Sequence, residues 1–470
     1  MTLSRRQFLT RTGLATGGLM MPSWLGNPFV QAASAAAAGR SVVVIHLDGG
    51  NDGLNTVTPV DDGGGTLRTD YEANRDNLRL PAGSLLPIGA DANTGAQLGL
   101  NPALAGLKAI WDLGKCAVVQ GCGYPRNNLS HDGSNRVWRT AYPVLSAPDA
   151  NGWMGNALID LGYLGTDIPA VNIGPKIAPS FRQAVTNVLA FESLDDFGFP
   201  YDLDHPGDDA AKRACVDLMF SSAVATGQAQ EAFVGSTCGS ALLATEAFVE
   251  SYVNDRGAWV SLYDELGTGL ARDLREVAKI MYGVSLGVPG MDARYFQVSM
   301  DGYDTHASQG AGDPGARHYE LLKGFGEAVQ LFYDDCADMG IIDDTLILVW
   351  TEFGRRVKQN GSGTDHGSLT PVFALGGQVL GGLYGNHPDI SPAGLDSQGN
   401  MAYSQDPLNP YRPTDFRDVY GTVLAQWLGV PEATLLANVL RPDPIGYDPV
   451  QYWVDGNHDF DIGFVPPFAP

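Results

Sequence analysis

SVVVIHLDGGNDG, residues 41–53, predicts a buried strand that ends abruptly in a polar turn. The first seven residues form a continuous apolar and mostly β-branched run, which is typical of a parallel strand covered on both faces. The Gly, Asn and Asp residues that follow favour a tight turn. Ligands of open α/β sheets collect at the carboxyl ends of the strands. Asp48, directly after this strand, is therefore a candidate binding residue.

Further apolar segments indicate that strands and helices alternate along the chain. Strands are predicted at residues 116–120, 170–173, 294–300 and 345–350. Helices are predicted at residues 101–111, 258–283 and 318–339, where apolar side chains recur at helical spacing. Residues 62–91 are rich in Gly, Asp and Asn and are expected to be mostly loop. The alternation indicates an α/β fold with parallel strands.

The size of the chain favours one large domain. With 470 residues, 44% of them hydrophobic, the protein can bury a sizeable core. We expect a single elaborated domain over residues 41–470. The pattern is less legible around residues 160–257, where an insertion or cap is predicted. No run after the N-terminal segment reaches the roughly 18 apolar residues of a membrane span.

Residues 1–35 are expected to be an export signal. SRRQFL, residues 4–9, is a twin-arginine signature, and a weakly hydrophobic, Gly-rich segment follows it. Ala33-Ser34-Ala35 is an acceptable cleavage site. The predicted location is therefore the periplasm or the exterior, reached by the twin-arginine pathway. This pathway carries folded proteins, often with a metal already inserted.

The net charge of −24 limits the partners. Removal of residues 1–35, which contain three arginines and no acid, takes it to −24 − 3 = −27. A surface this acidic repels phosphate backbones, so nucleic acid and anionic membranes are poor partners. Small-molecule or saccharide esters fit better as substrates, and a protein partner is left open.

The five cysteines do not show the paired spacing of a zinc site. Cys215 and Cys238 are candidates for a disulfide in an oxidising compartment. Cys116 lies in an apolar strand and is expected to be a small core residue.

Acid and histidine side chains follow three of the predicted strands. They are Asp48, Asp304, His306 and Glu352, with Asp365 and His366 in the loop beyond the last of them. Oxygen and imidazole donors at the ends of separate parallel strands are what a divalent-metal hydrolase requires, because the cations must be held over one crevice. Asp304 and His306 are two positions apart, so in extended backbone they face the same side.

Six motifs are the most distinctive segments of the chain. They are LDGGNDGLNTVTP (47–59), GYPRNNLSHDGSNRVW (123–138), GWMGNAL (152–158), GYDTHASQ (302–309), TEFGRRVKQNGSGTDHG (351–367) and DFRDVYGTVLAQWLG (415–429). Together they resemble the bacterial family called domain of unknown function 1501, which is grouped with the alkaline phosphatase and sulfatase superfamily. The resemblance implies an alkaline-phosphatase-like fold, a mainly parallel central sheet flanked by helices on both faces, and a two-metal site.

The resemblance also implies roles for individual residues. Asp48 resembles the carboxylate that ends the first strand and binds one metal. Asp304 and His306 resemble ligands of the other metal. His366 resembles the final histidine ligand, with Asp365 beside it.

One position departs from the superfamily pattern. Glu352 occupies the place of the Asp in an Asp-His pair, but Phe353 replaces the His. Either His131 or Asn51 fills the vacancy, or one metal is bound weakly and is a harder ion than zinc, such as manganese, calcium or magnesium.

A nucleophile is expected at a helix N-terminus after the second strand, again by resemblance to the superfamily. Ser130 has that position, where its alternative role is to cap the helix. Arg355 either clamps an anionic group of the substrate or caps its own loop. The sulfatase modification signature, Cys-x-Pro-x-Arg or Ser-x-Pro-x-Arg, is absent from the sequence.

These features predict an exported, metal-dependent hydrolase of phosphate or sulfate esters. The alternative is a non-catalytic binding or assembly protein that keeps the fold and uses the crevice for a saccharide, peptide or protein. Phe353 in place of a ligand favours the alternative, whereas the other carboxylates and histidines favour the enzyme.

Overall fold

A computed structural model describes residues 39–143, 151–163, 168–183, 187–197, 206–226, 228–289, 292–404, 409–440 and 458–468. The predicted export signal, residues 1–35, lies outside these ranges.

Twelve strands and thirteen α-helices occur in the described ranges. The strands are β1 (Ser41–Leu47), β2 (Val57–Pro59), β3 (Leu86–Ala90), β4 (Gln97–Leu100), β5 (Cys116–Gly123), β6 (Ala170–Ile173), β7 (Val188–Phe191), β8 (Tyr295–Met300), β9 (Thr345–Trp350), β10 (Thr370–Leu375), β11 (Gly382–Tyr384) and β12 (Thr414–Asp415). The helices are α1 (Gly53–Thr56), α2 (Leu67–Asn74), α3 (Ala105–Asp112), α4 (His131–Thr140), α5 (Trp153–Asp160), α6 (Leu194–Phe197), α7 (Asp209–Ala225), α8 (Ala229–Asp255), α9 (Gly257–Leu266), α10 (Gly269–Ser285), α11 (Arg317–Asp338), α12 (Phe416–Thr422) and α13 (Glu432–Thr434).

The main sheet has the strand order β11-β5-β10-β9-β1-β8-β6-β7, and β12 also pairs with β5. The strands pair in parallel, except that β10 runs antiparallel to both β5 and β9. β1 lies at the centre and pairs in parallel with β8 and β9. The turns that follow these three strands therefore meet at one edge of the sheet.

Apolar layers cover both faces of this sheet. Val43 and Ile45 of β1 belong to one core cluster, which includes side chains of α3, α10 and α11. Val42 and Val44 belong to a second cluster, which includes side chains of α4, α5 and α12. Successive residues of a strand point to opposite faces, so each face packs against its own helices. The predicted α/β class, with a mainly parallel sheet flanked by helices on both faces, is confirmed.

Part of the segment expected to be loop is regular structure. Residues 62–91 contain α2 and β3, and β3 joins β2 and β4 in a small second sheet with the order β2-β4-β3. The prediction was wrong here because β3, with the sequence LPIGA, shows no alternation of apolar and polar residues. Its pairing with β4 depends on a partner that lies elsewhere in the chain.

Residues 160–257, for which an insertion or cap is predicted, contribute β6 and β7 to the main sheet and also contain helices α6, α7 and α8. The division into domains stays a prediction. Among the described helices, Gln230–Asp255 is long and apolar enough to cross a membrane by length and composition. That property is shared by core helices of soluble proteins, and 35% of the apolar window is buried in the structure.

The predicted pairing of Cys215 with Cys238 was wrong, because both are free thiols on exposed positions. Helices α7 and α8 pack as a hairpin in which Gly235 and Gly239 approach Phe220. Cys238 is therefore level with residues near 220, about 7 Å along the helix from Cys215 at a rise of about 1.5 Å per residue. Cys116 is fully buried, as expected of a core residue.

Candidate metal centre

The acid and histidine residues singled out in the sequence meet at the carboxyl edge of the central strands. β1 leads into Asp48, β8 into the turn with Asp304 and His306, and β9 into Glu352. The backbone N–H of Asp48 donates to the carbonyl of Met300 at 2.9 Å, and that of Tyr303 donates to the carbonyl of Asp48 at 3.2 Å. Gly49 has a φ of +121°, and a Cβ there would lie 2.4 Å from the backbone nitrogen of Asp304. Only glycine permits this close approach of the two turns.

All seven predicted metal residues belong to one continuous network of contacts. Asp304 is at its centre, because its two carboxylate oxygens approach three imidazoles. The Oδ2 atom lies 3.5 Å from Nε2 of His131, and Oδ1 lies 3.3 Å from Nε2 of His306 and 3.2 Å from Nε2 of His366. Nε2 of His306 and Nε2 of His366 are 2.9 Å apart.

The other nitrogen of each imidazole is already engaged by an acceptor. Nδ1 of His131 lies 2.6 Å from Oε1 of Glu352, and Nδ1 of His306 lies 3.1 Å from Oδ1 of Asp365. Nδ1 of His366 lies 2.7 Å from the carbonyl oxygen of Leu129. Carboxylate and carbonyl oxygens only accept, so each Nδ1 carries the proton and donates. In the neutral rings each Nε2 then has an unshared electron pair that points towards Asp304.

Such an arrangement suits a bound cation. Nε2 of His306 and Nε2 of His366 face each other at 2.9 Å, a distance at which the two nitrogens share either a proton or a cation. Within the described part of the chain, Nε2 of His131 is buried without a hydrogen-bond partner. A metal ion would satisfy His131, His366 and Asp304 at once, because their donor atoms all lie within 4.8 Å of one another. His306 lies beside this group, with its Nε2 3.3 Å from Asp304 and 2.9 Å from His366. Ligand atoms on one tetrahedral ion lie about 3.4 Å apart when the bonds are about 2.1 Å, which matches the separations from Asp304. The residues present therefore fit a divalent ion.

The carboxylates behind the imidazoles hold them in place, as is usual around bound metals. Glu352 accepts from four donors: the N–H of Gly49 at 3.0 Å, Thr351 at 3.2 Å, His131 at 2.6 Å and His46 at 3.1 Å. Burial disfavours its charge, but the hydrogen bonds from the two histidines outweigh that effect and keep the pKa of Glu352 well below its ordinary value. The charged carboxylate in turn raises the pKa of His131. Glu352 thus orients His131 instead of facing the shared space.

His46 also belongs to this network, although it lies inside the strand that the sequence predicts to be buried. It is fully buried, and its Nε2 donates to Glu352 because its Nδ1 accepts from Arg139 at 3.2 Å. Both ring nitrogens are thus engaged, which makes the group of His46, Asp48 and Glu352 a weaker metal site than the first, although their donor atoms also lie within 4.8 Å of one another. The sequence contained one indication of this role. His46 precedes Asp48 by two positions, and side chains two positions apart in extended backbone point to the same face.

Arg355 holds together the loops that carry the metal centre. Its side chain is fully buried and donates to the carbonyl oxygens of residues 49, 50, 303 and 364. It also donates to Oδ1 of Asp304 at 2.8 Å. Burial opposes the charge of Asp304, but the hydrogen bond and charge of Arg355 outweigh it and hold the pKa of Asp304 at about 2. Of the two predicted roles of Arg355, the geometry agrees with anchoring the loops.

Phe353 takes a packing role where the superfamily pattern has a ligand. Its ring is buried and lies 4.9 Å from the ring of His131 and 4.5 Å from that of His366, centroid to centroid. A Cβ on Gly50 would lie 2.3 Å from the phenyl ring. Phe353 therefore forms an apolar floor under the two imidazoles. Of the two residues proposed to fill the vacancy, His131 lies in the centre.

Asn51, the other candidate, is occupied elsewhere. Its amide donates to Thr56 at 2.9 Å, and its Oδ1 lies 2.9 Å from Nε2 of the buried His318. Burial lowers the pKa of His318 to about 4, so this ring is neutral at pH 7 and donates to Asn51. Asn51 thus serves the packing below the turn.

Ser130 lies at the start of α4, as predicted. It is exposed and makes no side-chain capping hydrogen bond. Its neighbour Leu129 offers the carbonyl that His366 contacts, so Ser130 adjoins the three imidazoles. The positive end of a helix dipole at this place favours a negatively charged oxygen.

The chain shows one match to a family model. The model described as "Protein of unknown function (DUF1501)" matches residues 286–403. This stretch contains Asp304, His306, Glu352, Asp365 and His366. The sequence has no significant match among curated proteins.

Several solved structures have weak similarity to this chain. One is a protein in the alkaline phosphatase superfamily from Vibrio parahaemolyticus, with 10% identity, a TM-score of 0.33 and coverage of 78% of this chain and 72% of that chain. Another is the lipoteichoic acid synthase LtaP from Listeria monocytogenes, with 9% identity, a TM-score of 0.26 and coverage of 79% and 74%. A third is Ps i-CgsB in complex with k-i-k-neocarrahexaose, with 9% identity, a TM-score of 0.34 and coverage of 90% and 77%. Similarities this weak carry no argument about the site, whose chemistry follows from its own geometry.

Proposed function

We propose that this protein is an exported, metal-dependent hydrolase of phosphate or sulfate esters. The observation that supports the proposal is the convergence of three imidazole nitrogens on the carboxylate of Asp304. His131, His306, His366 and Asp304 would hold the ion, and Glu352 with Asp365 would orient two of the rings. Zinc suits this mixture of nitrogen and oxygen donors, and manganese is the alternative among the harder ions.

The bound ion would polarise the ester oxygens and lower the pKa of a hydroxyl or water beside it. Ser130 has the position of the attacking group. Its oxygen would form a bond to phosphorus or sulfur as the bond to the alcohol breaks, and water would then release the anion from the serine. The positive end of α4 stabilises the charge that develops on the Ser130 oxygen. A water molecule is the alternative nucleophile in the same place.

Export rests on the twin-arginine signature in residues 1–35 and stays part of the proposal. A periplasmic or extracellular enzyme meets esters outside the cytoplasm. A folded protein carried by this pathway can also take its metal before export.

The test is metal analysis followed by an ester screen. The protein, purified after export, is expected to contain close to one transition-metal ion per chain. Treatment with a chelator should abolish hydrolysis of p-nitrophenyl phosphate, bis-p-nitrophenyl phosphate or p-nitrophenyl sulfate, and zinc or manganese should restore it. Protein that takes up no zinc, manganese or calcium, or that takes up metal and hydrolyses none of these esters, would contradict the proposal.

Ser130→Ala separates the two roles of this residue. If Ser130 is the nucleophile, turnover should fall by at least about 100-fold while the metal content stays unchanged. If it is not the nucleophile, activity should persist with little change in the free energy of unfolding, because the Ser130 side chain makes no capping hydrogen bond. Thr140→Ala, on the same helix but at its far end, is the matched control. Full activity in Ser130→Ala would show that Ser130 is not the nucleophile and would favour a water molecule in that role.

The rival function is a non-catalytic binding or assembly protein. Phe353 favours it, because the phenyl ring removes one donor from the position where the superfamily pattern has a ligand. Such a protein would hold a ligand in the crevice without turnover. Metal-loaded protein that binds an ester substrate in calorimetry, and releases no alcohol from it over hours, would support the rival.

A further inference from the structure

A large cleft adjoins the metal centre beyond Asp48. Its volume is about 1080 Å³, above the roughly 300–1,000 Å³ of ordinary small-molecule pockets. Asp48 and Arg139 line the cleft. Both also contact His46, since Arg139 donates to its Nδ1 at 3.2 Å and Asp48 lies 4.0 Å from its Nε2. The cleft is therefore linked to the network of the metal centre through His46, which contacts Glu352.

The floor of the cleft is polar although it belongs to the middle of the sheet. Gln297, Ser299 and Asp301 alternate along β8 and the turn after it, and all three line the cleft. β6 adds Asn172, which is in register with Gln297. Gln297 is only 2% exposed and lines the cleft with its amide. A floor of amide, hydroxyl and carboxyl groups is suited to a polar ligand, because such groups need hydrogen-bond partners.

Several cationic side chains in this cleft form no direct ion pair in the described part of the chain. The lining side chains that form no ion pair with any described residue are Arg139, Lys176, Arg182 and Arg272. By contrast Arg275, also in the lining, is paired with Asp264 and Glu276. Arg139 is the most constrained, because its Nε is buried without a hydrogen-bond partner among the described residues. The carboxylates of Asp48 and Glu352 are near enough to favour its charge, but neither forms a direct ion pair with it, so its guanidinium can still bind an anion in the cleft.

Carboxyl groups lie in the same cleft and exclude a densely charged ligand. Glu192, Asp273 and Asp301 line it. Burial, helped by the neighbouring acids, raises the pKa of Asp273 to about 7, so Asp273 is only partly charged at neutral pH. Carboxyl oxygens accept hydrogen bonds from hydroxyl groups, whereas they repel a chain of phosphates.

We propose that the cleft binds the body of the substrate, a polyhydroxylated molecule that carries a second anionic group besides the ester. Arg139, Lys176 and Arg182 bind that second group, and the carboxyl and amide side chains bind the hydroxyls. The inference rests on the proposed hydrolase function only for the ester; the ligand class of the cleft follows from its own lining.

The test measures binding in metal-free protein, so that it does not depend on hydrolysis. The probes are a short dextran oligosaccharide that carries one sulfate group and an unsulfated dextran oligosaccharide of the same length, titrated by calorimetry after chelator treatment. The sulfated probe is expected to bind at least 10-fold more tightly. The double variant Lys176→Ala/Arg182→Ala should weaken its binding at least 10-fold, as should Arg139→Gln. Lys108→Ala/Lys323→Ala, which removes the same charge outside the cleft, is the matched control.

Equal loss in the control would reduce the effect to net charge and overturn the inference, as would equal affinity for the two probes. The lysine and arginine of the double variant are exposed, so a folding defect cannot account for its result. Failure of the hydrolase proposal looks different: the sulfated probe binds as expected, and no ester is hydrolysed by metal-loaded protein. If the protein hydrolyses esters but does not bind the sulfated probe, the proposed hydrolase function stands and only the proposed ligand of the cleft is wrong.

Discussion

Asp304→Ala is expected to lose the metal ion and ester hydrolysis together. Asp304 lies within 3.5 Å of all three imidazole nitrogens, so its removal takes away one ligand and the negative charge that balances the cation. Loss of a residue that only orients a ligand typically costs 10- to 100-fold, so we expect a fall in turnover of more than about 100-fold. His366→Ala should behave in the same way. Metal content by mass spectrometry and hydrolysis of p-nitrophenyl esters measure the two effects.

Two variants make this result specific. Asp313→Ala removes an exposed carboxylate nine residues along the same loop and should retain metal and activity. Asp365→Asn keeps the shape behind His306 but loses the charge, so we expect weaker metal binding with measurable activity. Normal turnover by purified Asp304→Ala would remove the assignment of the metal centre.

Arg355→Met should destabilise the whole protein and not only slow the reaction. The guanidinium is fully buried and donates to Asp304 and to buried carbonyl oxygens of three separate loops, so methionine leaves those carbonyls without their donor. Leaving a buried acceptor unsatisfied costs about 1–3 kcal/mol, so the loss of several such bonds should cost about 3 kcal/mol or more. Urea denaturation followed by circular dichroism should show a loss of this size.

Arg356→Met is the matched control. Arg356 is half-buried and donates one long hydrogen bond, 3.3 Å, to the carbonyl oxygen of His366, so the expected cost is about 1 kcal/mol. The comparison also separates the two predicted roles of Arg355. If Arg355→Met kept the wild-type unfolding free energy and lost only activity, the arginine would be a substrate clamp and the anchoring role would be wrong.

The pattern of apolar residues in the sequence predicted most of the strands that position the metal centre. β1, β6 and β9 have the predicted limits, β8 differs by one residue, and β5 runs three residues further than expected. These strands are buried, so their sequences are long apolar runs that no other element imitates at that length. β3 was missed, because a short strand with Pro and Gly acquires its structure from the strand beside it.

The sequence indicated Asp48, Asp304, His306 and Glu352 as site residues because each follows a strand. The chemical role of each depends on surrounding side chains that local sequence does not specify. Whether Glu352 faces an ion or a histidine depends on which side chains surround it, and those come from residues 46, 49, 131 and 351. The anchoring by Arg355 is likewise invisible in sequence, because its partners are backbone carbonyls of distant loops.

The order of residues along the chain was enough to establish the α/β class and the strand ends that carry the acids and histidines, because both depend on local apolar runs and their interruption. The three-dimensional packing alone selected His131 over Asn51, directed three imidazole nitrogens at Asp304, and opened the cleft beside Asp48. Those outcomes depend on distances between side chains far apart in the chain, and such distances are fixed only when the strands take their places in the sheet.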